Sequence, residues 1–234
     1  MSCWLASVRN LEEISCLLAE GPDIIDFKEP KEGVLGALPL ETVREAVALI
    51  GRRCQTSAAI GDFPVDSPQI YQRVLEMAAT GVDYVKIGLP SNIQQAAACL
   101  LSLRPLADQG VSMVGVIFAD KRPDFSWTYL IGQAGFKGIM LDTAIKDDFG
   151  LLSHLSLSEL NNFVKLARSV RLISGLAGSL SIQDIPKLLP LRADYLGFRS
   201  ALCVAARNRC SRLDPKAVLL IKQAMRENLR IFEI

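Results

Sequence analysis

Short apolar runs alternate along this chain with longer segments in which apolar residues recur at helical spacing. The short runs have the length and composition of strands that are buried on both faces. Eight of them predict β-strands, at Cys3–Val8, Asp23–Lys28, Thr56–Asp62, Tyr84–Leu89, Met113–Asp120, Gly138–Thr143, Arg171–Ala177 and Tyr195–Ser200.

The longer segments predict amphipathic helices between these strands. Asn10 is a favourable N-cap for the first helix, and Pro68 and Gly81 mark the beginning and the end of the third. The predicted helices are Leu11–Glu20, Leu40–Ile50, Ser67–Thr80, Ser91–Leu103, Phe125–Ala134, Ser158–Ser169, Ser181–Leu189 and Pro215–Asn228.

Strict alternation of strand and helix is typical of a parallel sheet covered by helices. Eight such units in 234 residues fit a closed (β/α)8 barrel, or TIM barrel, better than a doubly wound sheet. Half of the residues are hydrophobic, which is enough for a large core, and no linker interrupts the pattern. We therefore expect a single α/β barrel domain that spans residues 1–234.

Charge and composition exclude several classes of protein. Twenty-six basic and 25 acidic residues give a net charge of +1, which offers nothing to attract nucleic acid or an anionic membrane surface. No apolar run approaches the roughly 18 residues of a membrane span, and the N-terminal residues do not resemble a signal peptide. The six cysteines form no C-x-x-C pair, so we expect reduced, buried cysteines in a cytoplasmic protein.

Aspartate and lysine residues gather where the predicted strands end. These ends matter because (β/α)8 enzymes place their active sites at the carboxyl ends of the strands. Asp26 and Lys28 end strand two, and they share one face because side chains alternate along a strand. The later strands add Asp62, Lys86, Asp120, Lys121, Asp142 and Lys146.

Lys86 lies inside the fourth strand, in a phase that directs it toward the barrel axis. A desolvated lysine near other cations is favoured in its neutral form, and a neutral amine attacks carbonyls to give a Schiff base. The structural alternative is an ion pair of Lys86 with Asp26 or Asp62. The two roles are compatible, because a carboxylate beside the lysine can relay its protons. The residues alone thus make Lys86 the first candidate for the Schiff base.

The ends of strands seven and eight suggest a phosphate site. In (β/α)8 enzymes these two loops often bind phosphate through backbone N–H groups and a helix N-terminus. Gly175 and Gly178 would permit close approach, and Ser179, Arg199 and Ser200 would add donors. A tight connection between strand and helix is the alternative reading of each loop.

The sequence contains few of the residues that other kinds of catalytic or metal site require. The single histidine, His154, excludes a histidine triad or a multi-histidine metal centre, and its polar surroundings predict a surface position. No glycine-rich nucleotide motif is present. The aspartates could form a glycosidase pair or hold Mg²⁺, but the many lysines fit neither use, so no metal is expected.

Five runs closely resemble the (5-formylfuran-3-yl)methyl phosphate synthase family, also called 4-(hydroxymethyl)-2-furancarboxaldehyde-phosphate synthases. These runs occur in the same order as in the family, and the resemblance covers nearly the whole chain. The runs are Asp26–Ala37, Ile60–Asp62, Asp83–Gly88, Asp142–Asp147 and Ser174–Leu180.

This resemblance implies a class I aldolase-like barrel that acts as a lyase without a cofactor. Two molecules of glyceraldehyde 3-phosphate would condense to the furan phosphate, with loss of phosphate and water, in the synthesis of a methanofuran-type cofactor. The resemblance favours Lys28 over Lys86 as the Schiff-base lysine. It gives supporting roles to Asp26, Lys86, Asp142 and Lys146.

The full set of expected substrate- or phosphate-binding residues is Asp62, Lys121, Gly175, Gly178, Ser179, Arg199 and Ser200. The expected partners are a small triose phosphate and further copies of this chain in a homo-oligomer. Two other functions stay open: a different Schiff-base aldolase that acts on a sugar phosphate, and a non-catalytic phosphate-binding scaffold.

Overall fold

Eight parallel strands close into a barrel in the computed structural model, which describes residues 2–62, 69–145, 149–205 and 208–230. Each strand pairs with its neighbours in chain order, and the first pairs with the last. This confirms the predicted (β/α)8 fold. The strands are β1 Cys3–Val8, β2 Ile24–Phe27, β3 Gln55–Ala59, β4 Tyr84–Gly88, β5 Met113–Phe118, β6 Gly138–Asp142, β7 Ile173–Leu176 and β8 Tyr195–Phe198.

Helices follow the strands and cover the outside of the barrel. They are α1 Leu11–Leu18, α2 Leu40–Ile50, α3 Gln69–Ala78, α4 Ile93–Asp108, α5 Trp127–Gln133, α6 Leu151–His154, α7 Leu157–Ser169, α8 Ile185–Leu188 and α9 Pro215–Arg230. None of the helices in the described ranges has the length and hydropathy needed to cross a membrane.

Two predicted helices differ clearly from the structure. Helix α4 continues past Leu103 and through Pro105, because a proline in the last turn removes only one backbone donor from an already packed helix. The predicted helix Ser181–Leu189 is instead a 3-10 turn followed by the four-residue α8. The short α6 was not predicted. The predicted start of the third helix, Ser67 and Pro68, lies outside the described residues.

Two hydrophobic clusters hold the barrel together. The larger one lies between the strands and the helices, where outward residues such as Ile25 and Phe27 are fully buried. The smaller one fills the barrel and includes Leu5, Val114 and Tyr195. The apolar filling stops short of the carboxyl ends of the strands, and polar side chains take its place there.

The cysteines agree only in part with the prediction. All six are free, as expected of reduced thiols. Cys99 and Cys203 are buried, but Cys3 is exposed and the other three are half-buried. The expectation of six buried cysteines was therefore wrong.

Candidate active site

A buried carboxylate lies at the centre of the polar region inside the barrel. Asp26 on β2 is aligned with Ser7 on β1 and with Ser57 on β3. Because residues in register on parallel strands share a face, both hydroxyls reach the carboxylate. Ser7 Oγ donates at 2.9 Å and Ser57 Oγ at 2.7 Å. Lys86 Nζ on β4 completes the group, 2.5 Å from Asp26 Oδ1.

These contacts keep Asp26 ionised although it is 0% exposed. Complete burial alone would raise the pKa of this carboxyl group. The positive charges of Lys86 and Lys28 and the hydrogen bonds from Lys86 and Ser57 outweigh burial and hold the pKa below its ordinary value. The cavity therefore contains a fixed negative charge.

Lys28 lies two residues beyond Asp26, at the end of β2. It is 9% exposed, and it lines the same cavity as Asp26 and Lys86. Asp142, at the end of β6, faces that cavity as well and is 4% exposed. Four of the five predicted catalytic residues thus share one cavity. The fifth, Lys146, lies outside the described residues.

The loops after β7 and β8 form another wall of the cavity. Gly178, Ser179 and Ser200 all line it. Gly178 has a φ of 109°, and a Cβ there would lie 2.9 Å from Thr143 Cγ2, so glycine lets this loop pack against the end of β6. The predicted phosphate loops and the predicted lysines therefore face one another.

Arg199 also lines the cavity, but its guanidinium is already engaged within the protein. Its guanidinium forms a buried ion pair with Glu13 of α1, with 2.6 Å between Nη1 and Oε2. The same side chain donates to the carbonyl oxygens of Ser7, Arg209 and Ser211. All five N–H groups of this arginine are used within the protein.

Three predicted binding residues lie away from the cavity lining. Gly175 is lower in the barrel, where a Cβ would lie 2.2 Å from Tyr195 Cζ, so this glycine makes room for a core side chain. Lys121 is exposed on a 3-10 turn after β5. Asp62 accepts the backbone N–H groups of Val34 and Leu35 at 2.8 and 3.3 Å, in the loop after β2.

Three residues around the cavity were missed by the sequence analysis. The hydroxyls of Ser7 and Ser57 could have been found by aligning the predicted strands on Asp26. Arg209, which also lines the cavity, gives no such signal because it lies in an irregular segment between β8 and α9.

No group of three or more potential metal-ligating side chains occurs among the described residues. His154 is half-buried, and its Nε2 is buried without a hydrogen-bond partner within the described ranges. The predicted surface position of this histidine is therefore only partly correct. Its site in α6 lies outside the cavity lining.

Comparison with known sequences points to one family. A family model described as 4-HFC-P synthase matches residues 4–222. A Methylorubrum extorquens protein with the provisional name (5-formylfuran-3-yl)methyl phosphate synthase is 40% identical over 226 residues, which cover 97% of this chain and 92% of the relative. The (5-formylfuran-3-yl)methyl phosphate synthase of Methanopyrus kandleri is 34% identical, over 88% of this chain and 91% of the relative.

Solved structures with similar folds are more distant in sequence. Phosphoribosyl anthranilate isomerase from Thermotoga maritima has a TM-score of 0.69 at 13% identity, over 97% of this chain and all of that one. 3-Hexulose-6-phosphate synthase from Salmonella typhimurium has a TM-score of 0.67, also at 13% identity, over 97% of this chain and 99% of that one. At this level of identity the likeness shows the barrel fold alone.

Proposed function

Because this chain belongs to the 4-HFC-P synthase family of enzymes, we propose that it makes (5-formylfuran-3-yl)methyl phosphate from two molecules of glyceraldehyde 3-phosphate. The reaction releases phosphate and water, and its product is used in the synthesis of a methanofuran-type cofactor. The observation that carries the proposal is the position of Lys28 beside the Asp26–Lys86 pair, in a cavity that the loops after β7 and β8 also line.

Lys28 is the better candidate for the Schiff base. Lys86 Nζ is held 2.5 Å from Asp26 Oδ1, so this nitrogen does not reach a substrate carbonyl as long as that pair persists. Lys28 is farther along the barrel axis, at the strand end where a substrate enters.

The remaining steps need proton transfer. A Schiff base on Lys28 acts as an electron sink, so the adjacent carbon can lose a proton and become an enamine nucleophile. Asp26 and Asp142 are the carboxylates in the cavity that can move this proton and those of the later eliminations. The charge of Lys86 stabilises negative charge that develops on oxygen.

Phosphate binding is assigned to the loops after β7 and β8. Gly178, Ser179 and Ser200 would hold the phosphate that the product keeps, through backbone N–H groups and hydroxyls. A homo-oligomeric state and a cytoplasmic location stay predictions.

Two assays test the proposal. The full chain is incubated with glyceraldehyde 3-phosphate while furan absorbance and released phosphate are measured. In parallel, borohydride is added to trap the Schiff base, and the modified peptide is mapped. We expect furan formation, and an adduct on Lys28 that Lys28→Met abolishes. Lys137→Met is the matched control, because Lys137 is exposed just before β6, at the opposite end of the barrel.

The possible outcomes separate the alternatives. An adduct on Lys86 would exchange the roles of the two lysines but keep the enzyme class. An adduct on Lys28 without furan or phosphate release would indicate a different Schiff-base aldolase. The absence of any adduct and of any product would leave a non-catalytic phosphate-binding scaffold.

A further inference from the structure

Arg209 has a guanidinium nitrogen that is buried without a hydrogen-bond partner among the described residues. Its Nη2 donates to the carbonyl oxygens of Pro30 and Gly33, at 2.9 and 3.3 Å. Its Nη1 is the unpaired nitrogen. Burial of a positively charged donor without an acceptor costs free energy of folding, and an anion bound beside the donor would supply the missing acceptor.

The backbone around Arg209 is held firmly by two other arginines. Arg199 donates to the carbonyl oxygens of Arg209 and Ser211, at 2.8 and 3.0 Å. Arg9 donates to the carbonyl oxygen of Cys210, at 2.5 Å. Three consecutive carbonyl groups are therefore bound.

The two arginines are themselves anchored by glutamates. Arg199 pairs with Glu13, and both side chains are more than nine-tenths buried. Arg9 pairs with Glu29 at 3.1 Å. The segment that carries Arg209 is thus fixed in advance of binding, which lowers the entropy lost when a ligand is bound.

The charges around the cavity also favour an anion. Lys86 is neutralised by Asp26, and the charge of Arg199 is balanced by Glu13 outside the cavity. Of the remaining charged side chains in the lining, Lys28 and Arg209 are positive and Asp142 is negative, which leaves an excess of positive charge. Ser179 and Ser200 of the two phosphate loops line the same cavity.

We propose that Arg209 is the phosphate-binding cation of this cavity, in the role that the sequence gives to Arg199. Nη1 donates to a phosphate oxygen of the substrate while Nη2 remains on the carbonyl groups of Pro30 and Gly33. The identity of that substrate as a triose phosphate rests on the proposed function. Because the same guanidinium holds the turn that follows Lys28, phosphate binding also fixes the position of this turn.

The direct test measures binding of inorganic phosphate to the full chain by isothermal titration calorimetry. We expect Arg209→Gln to weaken binding roughly 10- to 100-fold, the range for a lost charge-assisted hydrogen bond. Arg209→Lys should weaken phosphate binding less than Arg209→Gln, because lysine keeps the positive charge. Some loss is still expected, because one ammonium group cannot serve both the carbonyls and the phosphate. Arg212→Gln is the control, since Arg212 is an exposed arginine in the same segment and should leave binding unchanged.

Unchanged affinity in both Arg209 variants would overturn the proposal, as would an equal loss in Arg212→Gln. If circular dichroism shows that Arg209→Gln does not fold, Arg209→Lys decides the matter alone.

A second measurement separates this proposal from the proposed reaction. Trapping with unphosphorylated glyceraldehyde reports any displacement of Lys28 that follows from loss of the contacts to Pro30 and Gly33. From wild type to Arg209→Gln, borohydride trapping with subsaturating glyceraldehyde 3-phosphate should fall by a larger factor than trapping with unphosphorylated glyceraldehyde. Equal trapping of the phosphorylated substrate would count against Arg209. If no adduct forms on any lysine, the proposed reaction fails, and the phosphate affinities still decide the role of Arg209.

Discussion

Asp26 stays charged inside the barrel because three donors from three different strands converge on its carboxylate. Ser7, Ser57 and Lys86 all lie within 2.9 Å of its oxygens. Such a group is stable only as a set, since removing one partner leaves another buried charge uncompensated.

We expect Asp26→Asn to damage both activity and stability. The amide cannot neutralise Lys86, so a buried ammonium is left without a counter-charge. The free energy of unfolding should fall by about 3 to 5 kcal/mol, and activity should fall by about 100-fold or more if the carboxylate moves protons. Urea denaturation and the furan assay measure the two effects. Ser57→Ala is the control, because it removes one hydrogen bond worth about 1 kcal/mol and keeps the charge.

Acid should weaken the fold in a way that depends on Asp26. The pKa of this group is lower in the folded protein than in the unfolded chain, where it is about 3.9. Its contribution to stability is therefore present above about pH 4 and is lost as the pH falls through the folded pKa. Below about pH 4, stability should fall less steeply with acidification in Asp26→Asn than in wild type. Equal slopes would contradict this account.

Among the individual residues, the sequence predicted the lysines and aspartates of the cavity, and it offered Asp26 as one of two ion-pair partners for Lys86. The two-residue period of a strand is enough to place Asp26 and Lys28 on one face. The ion pair of Arg199 with Glu13 depends on how the helix α1 is placed relative to the residue that follows β8, and the position of Arg209 depends on an irregular segment. Neither has a periodic signal.

At the scale of whole elements, aspartates fix the loops that surround the cavity. Asp62 after β3 holds the loop after β2, and Asp120 after β5 accepts N–H groups of Ala144 and Ile145 after β6. Asp62 was predicted to bind substrate or phosphate, whereas Asp120 was noted only as an aspartate at a strand end. Their positions at strand ends were correctly noticed, but each carboxylate is directed at a neighbouring loop.

Removal of the Asp62 clamp should loosen the loop that follows Lys28. In Asp62→Ala the N–H groups of Val34 and Leu35 lose their acceptor, so their amide hydrogen exchange should accelerate. Activity should fall about tenfold, because Lys28 is then less well positioned. Gly33→Ala should act similarly, since its Cβ would lie 1.9 Å from Asp62 Oδ2 and glycine there has a φ of 123°.

The matched control for this experiment is Asp124→Ala. Asp124 caps Ser126 in the loop after β5, and neither residue lines the cavity. If Asp62→Ala leaves exchange and activity at wild-type values, the clamp has no functional role. If Asp124→Ala lowers activity as much as Asp62→Ala does, the effect is not specific to the loop after β2.

For the whole molecule, the alternating pattern of strands and helices was enough to predict the barrel. Closure itself needs contacts between the two ends of the chain. β1 pairs with β8, Ser2 Oγ donates to the carbonyl oxygen of Ala193, and Glu13 binds Arg199. The larger hydrophobic cluster contains residues from β1 through α9 without a break. These contacts support the prediction of one domain.

We therefore expect the chain to unfold as one cooperative unit. Its two tryptophans report on different parts of the barrel: Trp4 lies on β1 and Trp127 at the start of α5, and each is at most 5% exposed. Trp4→Phe and Trp127→Phe leave one fluorescent probe each. In either variant, the urea transition seen by fluorescence should coincide with that seen by far-UV circular dichroism, because loss of any strand opens the barrel. Separated midpoints within one variant would show that part of the barrel unfolds on its own, and would contradict a single domain.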